Sequence, residues 1–220
     1  MSRSSQVAKE LLGEDFVGFL TTDRWSGYSW YDKGLRQLCW SHLTRDFQGY
    51  IDRGGEGEWV GRELMRERNR MFKWWGRVKE GRMERRDFER RMKEVEGQVG
   101  RLLRQAVERG EEKTAGSAAQ ILRWEEALWT FVHVEGLEPT NNYGERIIRQ
   151  AVMYRKTSFG TQSPAGSRFV ERLLTGVTTL KLQGRDALEY LTDLVRAHRF
   201  GGPLPSLLPV SSSAQVATTA

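Results

Sequence analysis

A single cysteine stands among 220 residues, so no disulfide can form within the chain, and the small oxidised scaffolds built on several of them are excluded. That usage fits a reducing compartment, the cytoplasm. No apolar run reaches the ~18 residues that a membrane-spanning helix requires, and the N-terminus lacks the basic and apolar regions of a signal peptide. No internal repeat is visible. Histidine is scarce too, with three in the chain. Cys39-x-x-His42 has the spacing of half a zinc site, but zinc takes four ligands, and His133 and His198 are remote and isolated.

What the chain does carry is charge. Lys and Arg number 35 against 29 Asp and Glu, giving +6 and a pI near 9.6. That balance favours a polyanionic partner, with nucleic acid the leading candidate. Eight tryptophans and 38% hydrophobic residues suffice for one good core, or for a core with a helical appendage.

The stretch from Glu138 to Lys156 organises the rest. Pro139 and Thr140 supply a helix start, because proline is tolerated in the first turn and a threonine oxygen can accept an orphan N–H. Tyr143, Ile147, Ile148, Ala151 and Val152 then recur on one helical face, with Asn142, Glu145, Arg146 and Arg149 on the other. One carboxylate sits among amides and arginines. Taken alone, Glu145 and Arg149 read as an ordinary i, i+4 surface pair.

In chain order, Ser4 or Ser5 can cap a short helix ended by Gly13. The run Phe16–Thr22 predicts a strand buried on both faces of a mostly parallel sheet, with Asp23 at its C-terminal end, where open α/β sheets bind ligands. Asp23 is equally a cap for whatever follows. Leu35–Trp40 predicts a second strand, His42 and Arg45 follow it directly, and a helix over about 43–51 ends in a flexible Arg53-Gly54-Gly55 connection.

From Glu56 to Val132 the pattern is helical. Leu64, Met71, Trp75 and Val78 make one seam and Phe88, Met92, Val95, Val99, Leu102 and Ala106 a second, joined around Gly81 as an antiparallel hairpin. Ser117-x-x-Gln120 reads as a capping box opening a third helix with Ile121, Trp124, Leu128 and Phe131 inward. The basic loop Arg155–Ser163 suits phosphate contacts. A helix over 165–182 and another from Asp186 to about His198 follow, then a small, polar tail expected to be disordered.

Taken together, T-D-R-W-S-G-Y at 22–28, C-W-S-H-L-T-R-D-F at 39–47, N-N-Y-G-E-R-I-I-R at 141–149, R-K-T-S-F-G at 155–160 and D-A-L-E-Y-L at 186–191 resemble the bacterial insertion-sequence transposases of the IS sixty-six family. The resemblance implies a ribonuclease-H-like DDE domain, an α/β fold that is mostly helical, in which three carboxylates hold two Mg²⁺ ions, with Mn²⁺ as a substitute. Asp23 corresponds to the second carboxylate and Glu145 to the third. Arg146, Arg149, Arg155 and Lys156 are then DNA-binding residues beside the metals, with His42 and Asn142 as further site candidates. The implied partners are transposon-end and target DNA, and a second copy of the chain.

The resemblance also orders the chain. Residues 1–55 form a partial, truncated ribonuclease-H-like core, 56–135 a large helical insertion, 136–200 the rest of the core, and 201–220 a disordered tail. The family's three leading strands and first aspartate are not found here, and Asp15 precedes the strand, at the wrong end of the sheet. The expectation is therefore a C-terminal part of a transposase, inactive alone, with a catalytically dead DNA-binding or oligomerising remnant and a helical interaction protein as the competing readings.

Overall fold

The computed structural model describes residues 5–13 and 15–209, which fall into two compact units, 1–142 and 143–220. Among the described residues the structure is α/β with helix predominant: nine α-helices and two short strands.

The first unit opens with α1 (Ser5–Leu12), which buries Ala8 and ends at Gly13, where φ is +83° and glycine alone is unstrained. Ser4, one of the two candidate caps, lies outside the described residues. The predicted strand over 16–22 is shorter than its apolar run. Only β1 (Leu20–Thr22) pairs, in parallel, with β2 (Arg36–Leu38), and Leu20 faces Arg36 in register. Phe16 to Phe19 are diverted. The Tyr31 hydroxyl donates to the carbonyls of Phe16 and Gly18 and its ring packs on Phe16, leaving Val17 and Phe19 exposed. A tertiary hydroxyl thus takes the place of a neighbouring strand.

β2 is buried along its whole length. Cys39 leads directly into α2 (Trp40–Arg53), which starts earlier than its periodicity indicates. The connection to α3 (Gly55–Lys79) is a single glycine rather than a flexible linker: Gly54 sits at φ +76°. Gly61 explains why α2 and α3 lie so close, since a Cβ there would come within 2.8 Å of the Phe47 carbonyl and of Ile51.

A turn through Gly81 reverses the chain into α4 (Arg85–Arg109), giving the two long helices that the apolar seams predict. Leu64, Met71, Phe88, Met92, Val95, Val99, Leu102 and Ala106 are all buried in one core with Trp40, Phe47 and Leu103. Trp75, Phe88 and Phe131 form a ring cluster with centroids 5.4 to 6.0 Å apart.

The third predicted helix is corrected. α5 runs from Glu112 to Leu122, so Ser117 lies inside it and caps nothing; its hydroxyl accepts from Tyr50 instead. A 3₁₀ turn (Glu126–Leu128) and α6 (Thr130–His133) follow in place of a continuous helix. The Arg85 guanidinium holds the carbonyls of Phe131, Val132 and Val134 at the end of α6.

The second unit begins in α7 (Asn142–Thr157), which starts two residues beyond the predicted Thr140 cap and contains no buried residue. Its apolar face is open: Tyr143 and Ile148 are 58% and 61% exposed. α8 (Pro164–Leu182) is capped by the Ser163 hydroxyl with proline in its first turn, and α9 (Ala187–Phe200) by Asp186, whose carboxylate accepts from the Glu189 N–H at 2.9 Å. Leu180 is buried, but Phe169 and Leu173 of the expected inward face are exposed. Beyond α9, the carbonyls of Pro205, Ser206 and Leu207 accept from Tyr190, Arg185 and Gln183. The remainder of the expected tail, 210–220, lies outside the described residues.

Candidate functional site

Asp23 is the first residue beyond β1, at the C-terminal end of the parallel pair, as its position after the apolar run predicts. Its side chain is half-buried, and one oxygen accepts the Trp25 N–H at 3.0 Å, so the capping role and the site position coexist. Two arginines surround this turn. Arg24 pairs with Asp46 of α2 at 2.7 Å and donates to the Ser117 carbonyl, tying the turn to α2 and α5. Burial raises the Asp46 carboxyl above the ordinary carboxylate range, with Arg24 opposing it.

Arg36 lies beneath. It is 1% exposed, and its guanidinium donates to the Thr22 hydroxyl (2.8 Å), the Asp23 carbonyl (3.2 Å) and the Tyr28 carbonyl (3.1 Å). Its Cζ stands 4.2 Å from the Trp124 ring centroid. Burial lowers its pKa, while the charges of Asp23 and Tyr28 pull the other way.

His42 is half-buried in the first turn of α2. Cys39 is buried, and its sulfur accepts the Asn141 N–H at 3.3 Å, a structural use of the only thiol. Asn142, the second of the further site candidates, accepts from the Ser41 hydroxyl at 2.8 Å. Pro139 is held outside any helix by the Trp40 N–H on its carbonyl.

In the second unit, Glu145 occupies the first turn of α7, where the partial positive charge of the helix end favours an anion. Arg146, Arg149, Arg155 and Lys156 follow on the same helix and are exposed, Arg146 lying 6.0 Å from the Tyr143 ring centroid. Arg155 and Lys156 belong to the last turn of α7 rather than to the predicted loop. That loop is shorter, and it presents Phe159 98% exposed with φ +57°.

A family model described as Transposase IS66 family matches residues 1–168. The chain belongs to that family. No curated protein and no solved structure matches it. The matched span of this IS66-family transposase chain includes Asp23, Glu145 and all four basic residues of α7, and it ends within α8. Among the described residues, no helix is long and apolar enough to cross a membrane.

Arg24, Arg36, Asp46 and Trp124 carry much of the order around Asp23 in this transposase, and local sequence patterns tied none of them to it: Trp124 reads only as an inward residue of a helix. Arg36 reads as one strand residue among others, and Asp46 as a polar position on an amphipathic helix. The usable signal was an arginine inside a run, Leu35–Trp40, that is otherwise mostly apolar, where a buried guanidinium demands acceptors.

Proposed function

We propose that this chain is a catalytic part of a DDE transposase that moves DNA by metal-dependent strand transfer, with Asp23 and Glu145 as two of its three carboxylates. The observation that carries the reading is the family match over residues 1–168, which spans both carboxylates and the basic face of α7. In this reading residues 1–55 and 136–200 are parts of a ribonuclease-H-like core, and 56–135 is a helical insertion in it.

The donor set fits the metal. Carboxylate oxygens are the hard ligands that Mg²⁺ and Mn²⁺ prefer, and Asp23 is anchored at one oxygen by the Trp25 N–H. Asp23 and Glu145 would hold two such ions, which, when bound, would supply activation of the attacking oxygen and stabilisation of the leaving one in an in-line displacement. Arg146, Arg149, Arg155 and Lys156 neutralise DNA phosphates, a contribution independent of base sequence. Because Asp23 and Glu145 are two of three carboxylates, residues 1–220 are expected to bind metal and DNA while transferring strands very slowly or not at all.

The test substitutes Fe²⁺ for Mg²⁺ in the purified chain and generates hydroxyl radicals with ascorbate and peroxide, which cut the backbone beside the bound ion. Cleavage is expected around both residue 23 and residue 145, and Asp23→Asn or Glu145→Gln should abolish both cuts. Cleavage near one of them only, or near neither, would refute a shared metal site.

A further inference from the structure

We infer that Arg36 is the positioning residue for Asp23: from inside the core it sets the direction in which the aspartate leaves the sheet. The inference rests on the metal-site reading above.

The last ladder bond of the parallel pair is the Cys39 N–H on the Thr22 carbonyl at 2.8 Å. Beyond it β2 turns into α2, and the sheet no longer dictates the backbone of Asp23. Arg36 takes over there. Its Nη2 donates both to the Thr22 hydroxyl and to the Asp23 carbonyl, and the same hydroxyl donates onward to that carbonyl at 2.8 Å. Nη1 fixes the Tyr28 carbonyl, closing the turn on which Asp23 sits. Trp124 covers the guanidinium face, so the fork is held dry and flat.

Burying a guanidinium is costly, and an apolar side chain of similar volume commonly serves a fold as well or better. Thr22, Asp23 and Tyr28 give this one a use. A planar fork reaches three acceptors in fixed directions, whereas a lysine ammonium acts as a point charge and cannot. Arg36 touches no reacting group in this account. It acts through the main chain of Asp23.

The test measures Mn²⁺ binding to the full chain without DNA, by loss of the free-ion paramagnetic resonance signal, together with the thermal midpoint. Arg36→Lys keeps the charge and removes the fork, and it is expected to weaken Mn²⁺ binding about 10-fold or more, as loss of groups that orient metal ligands commonly does. Arg85→Lys loosens a comparable clamp at the end of α6 and should lower the thermal midpoint with Mn²⁺ affinity unchanged. If Arg36→Lys behaves as Arg85→Lys does, the inference is overturned. Should Arg36→Lys not fold, Thr22→Val decides: a several-fold loss of affinity supports the inference and parental affinity overturns it. Asp23→Asn separates the two levels, because parental Mn²⁺ binding in that variant removes the metal-site reading itself, whatever Arg36 does.

Discussion

Gln37 offers the sharpest stability test. Its side chain is fully buried between β2 and the turn that precedes α6, and all of its hydrogen-bonding capacity but one lone pair is engaged. Nε2 donates to the carbonyls of Leu38 (2.8 Å) and Leu128 (3.0 Å), and Oε1 accepts the Phe131 N–H at 2.8 Å. Gln37→Met keeps the length of the side chain and removes every one of these bonds. The Leu128 carbonyl retains the Trp40 indole N–H at 2.9 Å, so two groups are orphaned, the Leu38 carbonyl and the Phe131 N–H. At about 1–3 kcal/mol for each buried orphan, the loss is about 2–6 kcal/mol, a large share of the ~5–15 kcal/mol that typically holds a domain folded. Urea unfolding followed by tryptophan fluorescence measures it, and the slope should be unchanged, since the same surface is exposed. Amide exchange at Phe131 should accelerate by more than the global loss alone dictates. A midpoint within about 0.5 kcal/mol of the parent, with protection at Phe131 intact, would refute the accounting.

Three further outcomes follow from the same structure. Leu102 is 2% exposed at the centre of the α3–α4 core, and Leu102→Ala should cost about 2–5 kcal/mol in the same unfolding assay; no change would mean that the core does not close around it. Burial pushes the Tyr50 hydroxyl up to about 12, so the folded state keeps a proton that the unfolded chain gives up near pH 10. Its stabilising effect is complete below pH 10 and lost as the pH rises to 12, on the order of 2–3 kcal/mol, and Tyr50→Phe should flatten that part of the stability profile. Replacing Arg146, Arg149, Arg155 and Lys156 by alanine should lower the slope of log affinity for duplex DNA against log salt by up to about 3–4, near 0.9 for each phosphate left without its cation; an unchanged slope would place the DNA elsewhere.

The long helices were legible because α3 and α4 repeat apolar residues by threes and fours, and that period survives any tertiary context. The start of α9 was legible from Asp186 and Glu189 three residues on, the spacing of an N-terminal cap. Phe16–Phe19 was misread because the Tyr31 hydroxyl, 13 and 15 residues away, takes the carbonyls that a strand would offer to a neighbour. Ser117 was misread because a capping box requires the helix to begin there, and α5 begins at Glu112. At the candidate site, Asp23 was visible from its place after an apolar run and Glu145 from the motif around it. The residues that hold Asp23 were not: the three acceptors of Arg36 lie 8 to 14 residues away, and its covering ring, Trp124, is 88 positions further along the chain.

The side-chain bonds at β2 also decide which way the sheet can grow. The Arg36 carbonyl is taken by the Thr130 hydroxyl and the Leu38 carbonyl by the Gln37 amide, so the margin of β2 facing away from β1 is occupied before any other backbone can reach it. An additional strand, whether from another segment or another molecule, therefore has to be laid alongside β1. The sheet is one-sided as a template, and at three residues its open margin is too short to recruit a stray strand without help from side-chain contacts.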